Sequence, residues 1–294
     1  MTLFVNAVIT GIAVGAVYGL ITIGYTVVFN ATRVFNLAQG DLVMVGVLLS
    51  YWVLDVQHWP QVAAVVVVLV GVAAVALVEE RIAVRPFLGR SRDNIGWFIS
   101  TLAFGLVIET VVVRLYGNNP PRPVPSPLPS TRLHIGSIAT RPQLLFAIGV
   151  LVVVTIAVEV FYRRTWLGQA MRATADDRDV AALRGIDPRR VSVIAFLIGG
   201  LLAGIGGYVV APIVYADVTI GLTYSIKGFI ALAIGGFGSI RGGIIGALAI
   251  GVAEQLFDLY IDPRYEIVAS LALLMIILAV RPTGLFRNAV VREV

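Results

Sequence analysis

The chain has 294 residues, of which 59% are hydrophobic and only 13% charged, with a mean hydropathy of +0.93. A soluble globular domain carries roughly 45–50% apolar and about 25% charged residues, so a water-soluble fold is excluded. The net charge of +5 does not point to nucleic acid, because the cations are 21 Arg and one Lys spread among short loops, not gathered on one face.

Absence of cysteine rules out disulfides, thiolate metal sites and cysteine nucleophiles. The two histidines, His58 and His134, both fall in predicted connections, so neither a metal nor another cofactor is expected. Apolar runs of membrane-crossing length, about 20 residues each, recur along the chain. The expected fold is all-α: a polytopic integral membrane protein with about 8 transmembrane helices plus a broken or re-entrant segment.

Residues 3–29 form the first apolar run. Without a basic leader, and longer than a signal-peptide core, the run is expected to be a retained span. Gly11, Gly15 and Gly19 recur every fourth residue, a small-residue stripe that reads first as a helix-packing face and second as a substrate-lining one.

Residues 30–41 are polar between two spans, with Asn30, Arg33, Asn36, Gln39, Gly40 and Asp41. The span that follows, 42–54, is short. Two readings stand: a discontinuous helix whose freed backbone lines a cavity, or a cytoplasmic turn with an Asp cap.

Spans are predicted next at 62–78 and 95–116. The connection between them, 79–94, holds Arg81, Arg85, Arg90 and Arg92, which marks it as cytoplasmic. Residues 117–143 are Pro-rich and predicted extended, on the outer side. A fifth span, 144–161, returns the chain to the cytoplasm at Tyr162, and a sixth, Gly-dense span covers 191–211. Residues 212–224 are predicted outside.

The apolar stretch 225–257 is too long for one span. It breaks at Gly235-Gly236-Phe237-Gly238-Ser239-Ile240-Arg241-Gly242-Gly243, so a short element and a full span are expected there. The last span is 266–280, ahead of a basic tail with Arg281, Arg287 and Arg292. The three segments assigned to the cytoplasm hold 14 of the 21 Arg, which places the N-terminus outside. The two interruptions, 36–41 and 235–243, raise the expectation of an internal repeat with breaks in corresponding positions.

The most polar stretch, 162–190, divides into two short helices. The second carries Asp176 as the expected N-cap, Asp177 and Asp179 in the first turn, Arg184 in the last, Gly185 just past the end and Pro188 beyond. Val180 and Leu183, three apart, give it an apolar knob. Such a helix either rests on the membrane surface or docks in a partner's groove.

Ionisable residues inside predicted spans are costly in hydrocarbon and are read first as functional. Glu109, Glu159, Lys227, Arg241, Glu254 and Asp258 qualify; Glu254 is the leading candidate for a buried role, against a plain hydrogen bond to a neighbouring helix. No nucleotide-binding Gly-Lys-Ser/Thr loop exists, since Lys227 is the only lysine. If ATP drives the protein, another chain must bind it.

Gly168-Gln169-Ala170-Met171-Arg172-Ala173-Thr174-Ala175-Asp176-Asp177, followed by Ala182-Leu183-Arg184-Gly185-Ile186, resembles the coupling loop of ABC-transporter permeases, above all the branched-chain amino acid (LivH-type) family. Residues 34–41 are similar to that family's N-F-A-H-G-E stretch, with Gln39 and Asp41 where His and Glu are usual. Residues 235–243 resemble its G-G-x-G-S-x-x-G stretch, Glu254 its following acidic residue, and Arg281-Pro282-Thr283-Gly284-Leu285-Phe286 its closing R-P-x-G-L-F. Four motifs in order cover nearly the whole chain.

The resemblance implies one transmembrane permease domain over 1–294 with a cytoplasmic coupling loop at 162–190, and no covalent chemistry. It implies import of branched-chain or other small aliphatic amino acids across a bacterial inner membrane. Urea, amides or other small polar solutes are alternatives, and an ion-coupled secondary transporter is a rival. Implied partners are a second related permease, two ATPase subunits, an extracytoplasmic solute-binding protein and membrane lipid. Ala173, Ala175, Asp176, Asp177, Val180, Leu183 and Gly185 would couple to the ATPase. Asn36, Gln39, Gly40, Asp41, Gly235, Gly236, Gly238, Ser239 and Glu254 would line the translocation path.

Overall fold

The computed structural model describes residues 2–87, 96–117, 120–129, 131, 133–135 and 138–286. Arg90, Arg92, Arg287 and Arg292, used above for orientation, lie outside the described residues. Apart from an antiparallel pair of three-residue strands, β1 (Leu133–Ile135) and β2 (Ile138–Thr140), the regular structure is helical. The all-α polytopic expectation holds: among the described residues eight helices are long and apolar enough to cross a membrane, and one further apolar helix is shorter.

The helix α1 (Thr2–Thr32) has 31 residues, about 46 Å, well over the ~30 Å of a bilayer's hydrocarbon core. It lies at the centre, against α10 (Ile240–Tyr260), α8 (Pro188–Val214) and α5 (Pro142–Arg164). The stripe on α1 is a packing face. A Cβ on Gly11 would stand 2.6 Å from the Val252 Cα and one on Gly15 2.7 Å from the Leu248 Cα. Only a bare Cα lets the α1 and α10 backbones approach so closely. Gly19 faces the Leu151 side chain of α5 instead.

Three expectations are corrected. The second span is not short: α2 (Gln39–Tyr51) continues through a π-helical turn, Trp52–Val56, to crossing length. The truncated element is α9 (Ile220–Gly235), whose 16 residues reach about 24 Å. The predicted loop at 79 starts later, because α3 (Gln61–Glu79) runs on through a π-helical turn, Glu80–Val84, and a 3₁₀ turn, Arg85–Phe87. Its buried face, Val68, Val72, Ala76, Glu79 and Ala83, keeps helical spacing straight through the acids. Third, the segment predicted outside from 212 is partly helix: Pro212 lies within α8, and α9 begins at Ile220.

The remaining long helices are α4 (Gly96–Tyr116) and α11 (Glu266–Val280), both at the periphery with little of their length covered. Between α5 and α8 stand α6 (Trp166–Asp176) and α7 (Arg178–Leu183), the two short helices expected in the polar stretch.

Candidate functional site

One residue joins α6 to α7. Asp177, in extended backbone, ends the first helix and caps the second: its Oδ1 accepts from the Asp179 N–H at 2.9 Å and the Val180 N–H at 3.0 Å. The cap is therefore Asp177 and not Asp176, which is still helical in α6. Each neighbouring helix start is capped the same way. Thr165 Oγ1 accepts from the Gly168 N–H at 3.0 Å, and Asp187 Oδ1 from the Arg189 N–H at 2.9 Å, with Pro188 at the first position of α8. Gly185 takes φ +82°, where a side chain is strained, and lets Ile186 N–H reach back to the Ala181 carbonyl at 3.0 Å.

These caps fix which way α6 and α7 face. In α6, Ala170, Met171 and Thr174 are buried, with Ala173 and Ala175 half-buried beside them. In α7 Ala181 alone is buried, while Val180 is 46% and Leu183 87% exposed. Val180 and Leu183 are thus presented outward, and Ala181 is the anchor. Asp176, Asp177 and Gly185 are exposed as well.

The α6–α7 pair is pinned to the end of α1. Arg178 Nη2 donates to the Thr32 carbonyl at 3.0 Å, and Arg33 Nε donates to the Ala175 carbonyl at 2.9 Å. Both carbonyls belong to last helical turns, which have no intrahelical partner of their own. Burial lowers the Arg178 pKa from its usual value, with Asp179 opposing; a guanidinium stays charged under any such shift. Alongside lies a cavity of about 560 Å³, lined among others by Arg33, Arg163, Arg172, Arg241, Glu159 and Asp176. Glu159 bridges Arg163 at 2.7 Å and Arg241 at 2.5 Å, and the Arg172 guanidinium lies 5.5 Å from the centre of the Tyr162 ring.

At Arg33 the chain reverses through left-handed backbone, φ +56°, and folds back into the bundle before α2 begins. Asn36, Gln39, Gly40 and Asp41 are all buried there. Asn36 Oδ1 accepts from the Ala38 N–H at 2.9 Å, and its Nδ2 donates to Glu79 Oε2 at 3.1 Å. Gln39 Nε2 donates to the Gly199 carbonyl of α8 at 3.1 Å. The Gly40 N–H donates to Ser225 Oγ at 3.1 Å, and Ser225 donates to the Leu37 carbonyl at 2.9 Å. The Asp41 carboxylate occupies the space a Cβ would need on Gly105 and Gly221. Phe35 wedges this loop in place, stacked on Tyr25 at 4.7 Å and edge-on to Phe229 at 5.0 Å. Of the two readings of 30–41, the Asp cap is absent, since α2 starts after Ala38 with no side-chain cap, and the segment is folded back and buried in the bundle ahead of a helix of crossing length. Asp41 and Glu79 form no ion pair among the described residues, and Gln39 Oε1 and Glu79 Oε1 have no hydrogen-bond partner.

The other path candidates are not brought to this place. Gly235, Gly236, Gly238 and Ser239 sit at the far end of α9, where the Leu285 and Phe286 N–H groups donate to the Ile234 and Gly235 carbonyls at 2.8 and 3.1 Å. Two of the motifs noted above thus pack on each other, and Asn30 Nδ2 ties the break to α1 through the Gly238 carbonyl at 3.0 Å. Ser239 caps α10, accepting from the Gly242 N–H at 3.1 Å. The two interruptions occupy different levels of the bundle; Phe35, just ahead of the first, meets Phe237 of the second edge-on at 6.2 Å.

Glu254 belongs to a third cluster. Lys227 Nζ of α9 lies 3.1 Å from Glu254 Oε2 and also pairs with Glu266 of α11. The Tyr18 hydroxyl donates to Glu254 at 2.7 Å and accepts from Lys227 at 2.8 Å, and Ser270 donates to Glu254. Four helices meet on this group. Sequence reasoning missed Tyr18, Glu266, Ser270, Glu79 and Glu80, which accepts from Ser192 at 2.9 Å. For Glu79 a signal existed, the unbroken helical spacing from Val68. For the others none did, since each is one polar residue whose partner is distant in the chain.

The family model described as "Branched-chain amino acid transport system / permease component" matches residues 7–280. The high-affinity branched-chain amino acid transport system permease protein LivH of Salmonella typhimurium is 31% identical, with 99% of this chain and 98% of that protein covered. Its counterpart BraD of Pseudomonas aeruginosa is 29% identical over the same shares. Among solved structures, PsaBC from Streptococcus pneumoniae, in complex with Fab, aligns with a TM-score of 0.49 at 14% identity, covering 95% of this chain and 91% of that one. Eight helices long and apolar enough to cross a membrane, among the described residues, and a match over nearly the full length establish that this multi-pass membrane protein belongs to the branched-chain amino acid transport permease family.

Proposed function

We propose that the chain is the translocation subunit of an ATP-driven importer for branched-chain or other small aliphatic amino acids. It forms one permease domain over 1–294, with 162–190 as its coupling loop. Two such subunits, this chain and a related one or a second copy, enclose the path. Two ATPase chains act from the cytoplasm and an extracytoplasmic receptor delivers the solute, in a bacterial inner membrane with the N-terminus outside.

The observation that carries this reading is the outward face of α7. A six-residue helix is too short to be stable alone, yet this one is capped, anchored by Ala181 and pinned to α1 by Arg178, while its largest apolar side chain, Leu183, is 87% exposed. An exposed apolar knob on a fixed helix end suits a partner's groove, and the chain itself has no nucleotide loop. An ion-coupled transporter has no use for such a helix.

The solute reading rests on the re-entrant segment. Two buried carboxylates, Asp41 and Glu79, with no ion pair among the described residues, favour a solute that carries an ammonium group, because an unpaired charge in low dielectric is costly. Urea and simple amides lack that charge.

Cysteine at Asp177 or Val180 is expected to cross-link to an ATPase chain, and Leu183→Asp to uncouple ATP hydrolysis from uptake with membrane insertion intact. Normal uptake by Leu183→Asp would overturn the docking role.

A further inference from the structure

The two arginines that join α6–α7 to α1 meet the chain at an unusual place. Thr32 and Arg33 are the last residue of α1 and the first of the re-entrant segment, and six residues later α2 begins. Arg33 is one of three non-glycine residues with positive φ among the described residues, a conformation that persists only where surroundings hold it. What holds it is on both sides: its N–H reaches the Phe29 carbonyl at 2.9 Å, and its guanidinium reaches the Ala175 carbonyl.

Beyond Arg33 the segment has contacts on three further helices. Asn36 bonds Glu79 of α3, Gln39 bonds the Gly199 carbonyl of α8, and the Gly40 N–H bonds Ser225 of α9. Thr32 itself steers the first step inward, its Oγ1 accepting from the Val34 N–H at 3.1 Å. A displacement at the α6–α7 joint therefore has a short, bonded route to the buried start of α2. By itself α7 has little other grip, since it buries only Ala181, whereas α6 packs on the bundle through Ala170, Met171 and Thr174; Arg178 is thus the polar tie of α7 to α1.

We propose that Arg33 and Arg178 are positioning residues that transmit movement of the α6–α7 pair to the re-entrant segment 33–41, and through Asn36, Gln39 and Gly40 to α3, α8 and α9. The inference rests on the docking role proposed above and assigns its internal route. An ATPase pulling on α7 shifts Arg178 against the Thr32 carbonyl and the Ala175 carbonyl against Arg33. The turn at Arg33 then moves with the coupling helices while the long body of α1 stays packed on α10. Since each arginine bonds a backbone carbonyl, any side chain that keeps a cationic donor at the right reach preserves part of the link.

The test uses the whole transporter, permease with its ATPase chains and receptor, in proteoliposomes, reading solute carried per ATP hydrolysed and ATPase retained on purification. Losing both charged hydrogen bonds is expected to lower solute per ATP by about tenfold or more in Arg33→Ala/Arg178→Ala, with ATPase retention unchanged. Arg178→Lys is expected to stay within about threefold of wild type, and Arg264→Ala, an exposed arginine outside the coupling loop, to leave the ratio unchanged.

Wild-type solute per ATP in the double variant would overturn the proposal. So would loss of the ATPase from the purified complex, because the arginines would then serve only to hold the docking surface. Should the double variant fail to insert, Arg33→Ala alone, at an exposed side chain, carries the same two readouts. Leu183→Asp run alongside separates the layers: if it uncouples and the arginine variants do not, the transmission route falls and the docking role stands. If Leu183→Asp has no effect, the docking role itself falls.

Discussion

Lys227 Nζ and Glu254 Oε2 lie 3.1 Å apart with both side chains buried, and Lys227 is the single lysine of the chain. Around them Tyr18, Glu266 and Ser270 supply the remaining hydrogen bonds. A buried pair of this kind gains little over an apolar pair of equal volume, but breaking it leaves a charge stranded in low dielectric at a cost of about 3–5 kcal/mol.

Lys227→Met is accordingly expected to lower the thermal stability of the detergent-solubilised permease by about that amount, and Lys227→Met/Glu254→Met to recover most of the loss. Unfolding followed by tryptophan fluorescence or differential scanning measures it. A Lys227→Met protein as stable as wild type would show that the pair does not hold the four helices together.

The α1–α10 contact leaves no room for even one methyl group. A Cβ at Gly15 meets the Leu248 Cα at 2.7 Å and the Ala247 carbonyl oxygen at 2.8 Å, both backbone atoms that cannot swing aside. Gly15→Ala is expected to cost about 1–3 kcal/mol through forced separation of the two helices, with Gly149→Ala on α5, where a Cβ meets nothing within 4 Å, as the neutral comparison. Equal melting temperatures for the two variants would contradict the contact.

Removing the shared cap at Asp177 should loosen α7 while leaving the spans untouched. Loss of an Asp N-cap costs about 1 kcal/mol, so in Asp177→Ala the amides of α7 are expected to exchange with deuterium about fivefold faster. Asp176→Ala, at the residue before the joint, is expected to change exchange little. Equal effects of the two substitutions would return the cap to an undetermined position between them.

For the re-entrant segment the expected contrast is between charge and shape. Asp41→Asn keeps the volume that fills the space beside Gly105 and Gly221 and removes the charge, so the protein is expected to fold while uptake of an ammonium-bearing solute falls by about tenfold, the worth of one charged hydrogen bond. Uptake of wild-type rate by Asp41→Asn would remove Asp41 from the translocation path.

Much of the architecture could be read in advance because a membrane helix announces itself locally. Predicted spans at 144–161 and 266–280 fall inside or on α5 and α11, whose apolar runs end at Arg, Pro or Gly. The two short helices α6 and α7 were legible for the same reason: capping uses residues within three positions of each other. The error over Asp176 and Asp177 shows the limit of that reading. Either carboxylate fits the pattern, and only the backbone, helical at 176 and extended at 177, decides between them.

By itself, then, the sequence determined the class of the protein, the number of apolar helices, the family motifs and the two short helices of the polar stretch, all of which depend on composition and spacing within one segment. Tertiary structure alone decided that Lys227 neutralises Glu254 and that the closing 281–286 motif straps the end of α9. It alone decided, too, that residues 36–41 turn back into the bundle and that Arg33 and Arg178 tie this turn to α6 and α7. These relationships join residues between 27 and 188 positions apart. Pairings at such range are set by which helix faces which, a choice that glycine contacts between backbones make and that no local pattern encodes.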